Sequence, residues 1–330
     1  LIIEDIYGVT EITEPVLIDL LHSKPVQRLK GIYQAGAGFF VQPKWNTTRY
    51  EHSVGALILV RKLGASLEEQ IAALLHDVSH TAFSHTVDYA LGRANEDYHE
   101  EIFDEIVRRS EIPSILRSHG YSTNLLNDIE KWTLLEKNAP DLCGDRIDYT
   151  LRDQYNYGFI TAEEIHSFLH TLIVIDGTIC ISSLEQAEWF VNIYYQEVID
   201  FFLDPLNVYA YQLLAKALNY SFKQNIITKN ELLLEDEQVM NRLRSSQNIK
   251  LKEMLSRLSP GVQVEEKKED YEFYQKNKLR LIDPLVFIDN KTVRASSLSP
   301  QVHTMNKLAR DRTELGTYVK LKRVHKDSLY

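Results

Sequence analysis

Five of the eleven histidines lie between positions 52 and 99: His52, His76, His80, His85 and His99. Asp77 follows His76 directly, and His80 comes four residues after His76 and three after Asp77. That spacing returns side chains to one helical face. Imidazole nitrogens mixed with carboxylate oxygens suit Mn²⁺, Fe²⁺, Zn²⁺ or Ni²⁺, whereas an all-oxygen set suits Mg²⁺ or Ca²⁺. His52, on the preceding helical stretch, is placed to add a ligand from across a helix pair. The bland alternative is that these groups are helix caps and core hydrogen-bond partners. A protease of the two-histidine helical type is disfavoured, because that motif needs Glu after the first histidine as general base. The residue here is Asp77, short enough to reach the metal itself.

The elements that must position these residues are mostly helical. From Tyr50 onward the apolar spacing has the helical period, and Ser66 with Glu69 predicts a capping box opening a helix that ends near His76-Asp77. Helix-period positions such as Ile102, Phe103, Ile106 and Val107 continue through 96–153. Thr161 with Glu164 predicts a second capping box. Thereafter the period changes. Leu172 to Ile175, Asp176-Gly177 and Thr178 to Ile181 read as a β-hairpin, and Leu285 to Ile288, Asp289-Asn290 and Thr292 to Ala295 read as another. Helices rich in Tyr and Leu fill 185–220. Glu231 to Glu237 and Glu265 to Asp270 read as charged, exposed patches.

Composition bounds the rest. At 330 residues, 44% hydrophobic and 25% charged, the chain can bury a sizeable core as one large domain or two. With 37 Lys and Arg against 47 Asp and Glu the formal charge is −10, which disfavours a non-specific nucleic-acid binder. An anionic substrate would therefore need a metal ion or a few placed cations. Cys143 and Cys180 make no disulfide framework and fit a reducing compartment. Apolar runs such as Leu57-Ile58-Leu59-Val60 are too short to span a bilayer. No signal-peptide pattern stands at the N-terminus, and a chain beginning with Leu1 is expected to start inside its gene product. These features read as a soluble, cytoplasmic protein. A basic stretch closes the chain, with Lys307, Arg310, Arg312, Lys320, Lys322, Arg323 and Lys326 against Asp311, Glu314 and Asp327.

His52, then His76-Asp77, then Asp145 resembles the HD-domain superfamily of metal-dependent phosphohydrolases. The flanks add to the match: Thr48-Arg49-Tyr50-Glu51-His52-Ser53, Val78-Ser79-His80 running to Phe83-Ser84-His85, and Asp145-Arg146-Ile147-Asp148-Tyr149 running to Arg152-Asp153. With Gln34-Ala35-Gly36-Ala37-Gly38-Phe39-Phe40 these details resemble the branch of deoxynucleoside triphosphate triphosphohydrolases. The resemblance implies one divalent transition metal per chain (Mn, Fe, Zn or Ni) held by His52, His76, Asp77 and Asp145, with Mg accompanying a nucleotide. It implies that His99, oriented by Asp88, moves the proton, His99 being expected to titrate near neutral pH. His80 is implied as a further catalytic group, and His80 and His85 as phosphate contacts. Arg49 is read as a phosphate clamp, Arg146 as a cation beside Asp145, and Gln34, Tyr149 and Asp153 as sugar contacts.

The fold implied is mainly α, with an HD-type helical core at 1–160 and a C-terminal lobe of helices and β-hairpins at 161–330, either separate from it or packed with it as one unit. Two departures bear on the substrate. Ala35 stands where deoxynucleotide-specific relatives use Leu, leaving more room at the 2′ position. The basic run that holds the polyphosphate is missing: the nearest match, Asp204-Pro205-Leu206-Asn207-Val208-Tyr209-Ala210-Tyr211, offers Tyr209 or Tyr211 to stack on a base but no cation. The reading is thus a hydrolase of a phosphate ester, foremost of a nucleotide. Its alternatives are a dNTP triphosphohydrolase releasing nucleoside and triphosphate, and a non-catalytic nucleotide- or metal-binding regulator. Small phosphoesters are the expected partners, nucleic acid and membranes are not, and a homo-oligomer is what the resemblance implies.

Overall fold

The computed structural model describes residues 1–93, 95–127 and 129–322. Two helices carry the heart of the histidine pattern. Arg49–Lys62 opens on a complete capping box: the Thr48 hydroxyl accepts from Glu51 N at 3.2 Å, and the Glu51 carboxylate accepts from Thr48 N at 2.7 Å. Leu67–Leu75 follows, with His76 at its C-cap. The box predicted there forms by half. Ser66 accepts from Glu69 N, but the Glu69 carboxylate turns away to accept from Leu134 N and Leu135 N at 2.7 and 3.1 Å. It thereby pins the segment leading to the third helix, Gly144–Asn156, which carries Asp145. The Thr161–Glu164 box is complete and opens Ala162–Leu169.

Helix Arg49–Lys62 and helix Gly144–Asn156 pack directly on each other, and Gly55 lets them meet. A Cβ at Gly55 would lie 1.8 Å from Arg152 Nη2 and 2.1 Å from Asp148 Oδ1, both on the facing helix. No side chain larger than hydrogen fits there without displacing that ion pair.

Both predicted hairpins are present. Leu172–Ile175 pairs with Thr178–Ile181, and Leu285–Ile288 pairs with Lys291–Arg294. Their turns carry the positive φ values that two-residue hairpins require, 49° and 70° at Asp176-Gly177 and 50° and 58° at Asp289-Asn290. Parallel pairing of Cys180 with Leu285 and Ile181 with Val286 joins the hairpins into one four-stranded sheet. A three-stranded sheet has Thr317–Leu321 between Val264–Glu266 and Phe273–Gln275. An N-terminal hairpin, Ile2–Asp5 with Gly8–Glu11, completes the strands among the described residues.

Two apolar clusters fill the interior. One gathers Leu57, Leu74, Ile147, Phe190 and Val286, and the other gathers Phe40, Phe83, Tyr209, Leu214 and Val319. Each draws on both sides of position 160.

The charged patches behave differently from expectation. Asp236, inside the stretch read as exposed, is fully buried and accepts from Phe83 N at 2.7 Å and Tyr33 N at 3.0 Å. Its carboxylate ties the turn after His80 to the Gln34 segment. Within 265–270, Glu266 and Asp270 take Arg312 and Lys320 as ion-pair partners, so part of the basic C-terminal stretch is neutralised within the fold. Arg323, Lys326 and Asp327 of that stretch lie outside the described residues. Among the described residues no helix is long and apolar enough to cross a membrane.

Gly55→Ala is expected to cost about 1–3 kcal/mol through overpacking, read as a lower urea midpoint. An unchanged midpoint would show that the two helices do not meet this closely.

Candidate metal centre and active site

His52 is buried, and both ring nitrogens are engaged. Nδ1 donates to Asp148 Oδ2 at 2.8 Å, which turns Nε2 toward Asp145 Oδ1 at 3.0 Å and His76 Nε2 at 3.2 Å. Asp148 is itself held by Arg152 Nε and Nη2 at 3.0 and 2.9 Å and by the Tyr7 hydroxyl at 2.8 Å. Asp5 closes the network by accepting from Arg152 Nη1 at 2.9 Å. His76 Nδ1 donates to Ala73 O at 2.7 Å, so its Nε2 also faces the cluster. Asp77 completes it, with Oδ2 3.8 Å from His52 Nε2 and Oδ1 3.6 Å from His76 Nε2. Asp145 Oδ1 lies 3.5 Å from His76 Nε2.

The two outward-fixed imidazole nitrogens and the Asp77 carboxylate bring potential ligand atoms within 4.8 Å of one another, and Asp145 approaches the two histidines. Donors each about 2.1 Å from one ion stand roughly 3–4 Å apart, and the spacings above fall there. His52, His76 and Asp77 are thus brought together as a donor set that suits a divalent transition metal, with Asp145 beside the two histidines. A second grouping, Glu136, Cys143 and Asp145, also brings potential ligand atoms within 4.8 Å. Burial pushes the Cys143 thiol up to about 12, so it stays protonated, and Arg146 Nη1 sits 3.3 Å from its sulfur.

The electrostatics follow from burial and partners. Burial alone would lower the His52 pKa, but Asp145 and Asp148 outweigh it and hold the imidazolium up to about 10. Asp77 is held well below the usual carboxylate range because Arg49 and the neighbouring histidines overcome its burial. Burial and the nearby Asp145 carboxylate push Glu136 up.

The cluster opens into a cavity of about 300 Å³. Three further imidazoles form its next wall: His80 stacks on His99 with ring centroids 3.9 Å apart, and His85 meets both edge-on at 5.0 and 5.3 Å. His80 Nε2 stands 3.3 Å from Asp77 Oδ1, linking this wall to the cluster. His99 corrects the expectation of a near-neutral titration: burial first, then charge at His85, lowers it to about 3. Nor does Asp88 orient His99. It accepts from His85 Nδ1 at 3.3 Å and from Tyr98 N at 2.9 Å, while His99 Nδ1 is buried without a partner.

Arg49 lines the cavity, with Nη1 on Asp77 Oδ2 at 2.7 Å and Nε on Ser84 Oγ at 2.8 Å. Gln34, Tyr149 and Asp153 line it too, Gln34 Nε2 donating to Asp153 Oδ2 at 3.2 Å. Burial raises the Asp153 carboxyl to about 6. Arg146 is a second correction: its Nη1 is spent on the carbonyls of Lys137 and Asp141 at 3.1 and 2.7 Å, and it does not line the cavity. Tyr209 is fully buried on the Arg257 carbonyl, whereas Tyr211 faces the cavity.

The missing cations come from elsewhere. Lys278 and Arg280 line the cavity, Arg280 Nη2 pairing with Glu96 Oε2 at 2.5 Å. Their signal in the sequence was the run Lys276-Asn277-Lys278-Leu279-Arg280, with nothing to say which site it reaches. For Asp148 and Arg152 the signal was clearer, since they follow Asp145 at near-helical intervals on one face.

Two histidines and an aspartate grouped at one wall of a cavity, with Asp145 beside them and helices around, are the arrangement of a metal-dependent hydrolase. The HD-domain family profile matches residues 49–151. An uncharacterised protein of Bacillus subtilis, YdhJ, is 52% identical over 317 residues, covering 96% of this chain and 97% of that one. The metal-dependent phosphohydrolase cns2 of Cordyceps militaris is 44% identical over 173 residues, covering 52% of this chain and 50% of its own. The deoxynucleoside triphosphate triphosphohydrolase SAMHD1 of Mus musculus is 33% identical over 129 residues, 32% of this chain and 20% of that protein. Among solved structures, a phosphohydrolase from Bacteroides thetaiotaomicron shares the fold at TM-score 0.75 and 19% identity, covering 98% of this chain and 100% of its own. The chain belongs to the HD-domain family and is a metal-dependent phosphohydrolase.

Asp148→Ala would leave His52 without its acceptor and is expected to weaken metal affinity about 10–100-fold, as measured by competition with a chromogenic chelator. Because metal must displace the proton that His52 holds up to about pH 10, affinity should rise by about tenfold per pH unit from 7 to 9. A flat profile over that range would contradict the protonated state of the metal-free cluster.

Proposed function

We propose that the chain hydrolyses a phosphate ester of a nucleotide. The observation that carries this reading is that one cavity joins the metal-ligand cluster to a wall of rings and amides, including Tyr149, Tyr211, Gln34 and Asn207. At about 300 Å³ it lies at the compact end of ligand sites. His52, His76, Asp77 and Asp145 would hold one divalent transition metal, Mn, Fe, Zn or Ni. Such an ion, when bound, lowers the pKa of a water and withdraws charge from a phosphoryl oxygen.

The chain's own residues do the rest. Arg49 is fixed through Nη1 and Nε, and its Nη2 has no partner among the described residues, leaving a donor for a phosphate oxygen. His80 and His99 rest neutral, because burial and neighbouring cations lower both. A phosphate dianion arriving beside them favours their charged forms and raises those pKa values. They therefore take up protons when substrate is present, and His99 delivers one to the leaving oxygen. Asp88 holds His85 for a phosphate contact. Gln34, Asp153 and Tyr149 meet the sugar, and Ala35 leaves room for a 2′ hydroxyl. Tyr211 offers its face to the base.

A nucleoside triphosphate reading is favoured by one observation, the two cations Lys278 and Arg280 in the same wall. The relatives named as a metal-dependent phosphohydrolase and as a dNTP triphosphohydrolase are consistent with the two versions respectively.

Anion-exchange analysis of products from dNTPs, NTPs and nucleoside monophosphates, with Mn²⁺ present and Asp77→Ala as control, tests the proposal. Release of phosphate from monophosphates, or of intact triphosphate from triphosphates, supports it and selects the version. No product from any nucleotide, alongside turnover of a non-nucleotide ester such as p-nitrophenyl phosphate, would overturn the nucleotide assignment. His99→Ala should retain metal by elemental analysis and lose about 10²–10⁴-fold in kcat. An unchanged kcat would remove His99 from the mechanism.

A further inference from the structure

Residues 276–284 form neither helix nor strand, yet they carry two cations into the wall of the catalytic cavity. Arg280 Nη2 pairs with Glu96 Oε2 at 2.5 Å, and its guanidinium lies 5.2 Å from the centroid of the Phe202 ring. The Glu96 carboxylate also accepts from the Tyr89 hydroxyl at 2.9 Å, and Lys278 Nζ donates to Asn95 O at 3.2 Å. The cavity wall is thus stitched between two loops that each contribute charge, one before helix Tyr98–Arg109 and one after strand Phe273–Gln275.

Stability alone accounts poorly for such a pair. Two half-buried charges lose hydration, and an ion pair in that setting is often no better than packed apolar groups. The chemistry it presents to the cavity is more specific. Among the described residues, Arg280 Nε and Nη1 make no hydrogen bond, and neither atom is sealed in the interior. They are unpaired donors of a planar cation that lines the cavity and whose third nitrogen is held by a single carboxylate. Burial would raise the Glu96 carboxyl, but Arg280 and His85 pull it down to about 2, so it is an anion at every working pH. A phosphate carries more charge than that carboxylate and offers three acceptor oxygens to one guanidinium and one amine.

We propose that Arg280, assisted by Lys278, is a phosphate receptor of the substrate cavity, and that Glu96 occupies it until a substrate phosphate takes its place. The assignment rests on the phosphoester reading above and extends it to a specificity-determining residue. The phosphate can have two sources: the one being cleaved, or the tail of a polyphosphate extending from the metal cluster past His80 and His85. Glu96 makes the receptor selective, because a weakly charged ligand gains too little to displace it.

The test measures binding of inorganic phosphate and of tripolyphosphate to the metal-loaded protein by calorimetry, for wild type, R280Q, R280K and E96Q. Neither probe contains a nucleoside and neither arm requires turnover, so the receptor is judged apart from the nucleotide assignment. R280Q is expected to weaken binding by about tenfold or more, with R280K between it and wild type. Loss for both probes identifies the receptor with the cleaved phosphate, and loss for tripolyphosphate alone identifies it with the tail. E96Q removes the competitor and is expected to tighten binding by about three- to tenfold, which keeps the test decisive if R280Q fails to fold. Equal affinities in wild type, R280Q and E96Q for both probes would overturn the proposal.

Discussion

The orientation of one buried imidazole governs the site. His52 presents Nε2 to the cluster because Asp148 accepts from Nδ1, and Asp148 remains an anion in the interior because Arg152 and His52 outweigh its burial, with the Tyr7 hydroxyl also donating to it. Arg152 in turn needs Asp5. The chain of dependence therefore runs from the N-terminal hairpin, which delivers Asp5 and Tyr7, through helix Gly144–Asn156 to helix Arg49–Lys62. Gly55 is where the two helices come close enough for that chain to close. The hairpin looks peripheral in the topology, yet it supplies the carboxylate that holds Arg152 in place and a hydroxyl that donates to Asp148.

A second constraint sets the other side of the cavity. The turn after His80 must place His85 while Phe83 and Ser84 adopt φ values of 66° and 48°, a region unfavourable for non-glycine residues. Asp236 accepts from Phe83 N, Ser84 donates to Tyr33 O and accepts from Arg49 Nε, and Ala82 N bonds Leu232 O. Contacts from three separate parts of the chain hold a turn that local preference would not keep. The same contacts bring Gln34 and Arg49 to the histidine wall, so the turn and the substrate side of the cavity are positioned together.

These networks explain what could be read in the sequence and what could not. The approach of His52, His76, Asp77 and Asp145 to one another was legible because residues able to bind metal are restricted in type and their intervals repeat a motif. Both hairpins were legible because Asp-Gly and Asp-Asn provide the positive φ values their turns need. Asp236 was not: in sequence it belongs to a run of acids, and only the fold brings Phe83 N and Tyr33 N to it. Glu69 fits a capping box as well as it fits the bridge to Leu134 and Leu135 that it makes, and a local pattern cannot separate the two. The pairing of Asp88 with His85 instead of His99 depends on a side-chain direction that the motif does not encode. Arg280 lies far from the histidines in sequence, so no spacing rule could place it in their cavity.

The distribution of charge in the cavity has a common logic. A row of free permanent cations beside the ligand cluster would repel a divalent ion, since like charges a few ångströms apart in a poorly hydrated site interact strongly. Here both lining arginines are masked, Arg49 by Asp77 and Arg280 by Glu96, and Lys278 is held on the Asn95 carbonyl. The path between them is built from imidazoles, of which His80 and His99 are held neutral by burial and by nearby positive charge. Such a wall presents little net repulsion to a metal ion. It becomes cationic when a phosphate dianion enters, because the anion raises the imidazole pKa values and competes with the masking carboxylates. Neutral histidines and paired arginines thus answer two opposed demands, retaining a cation and admitting an anion, within one cavity of an acidic protein.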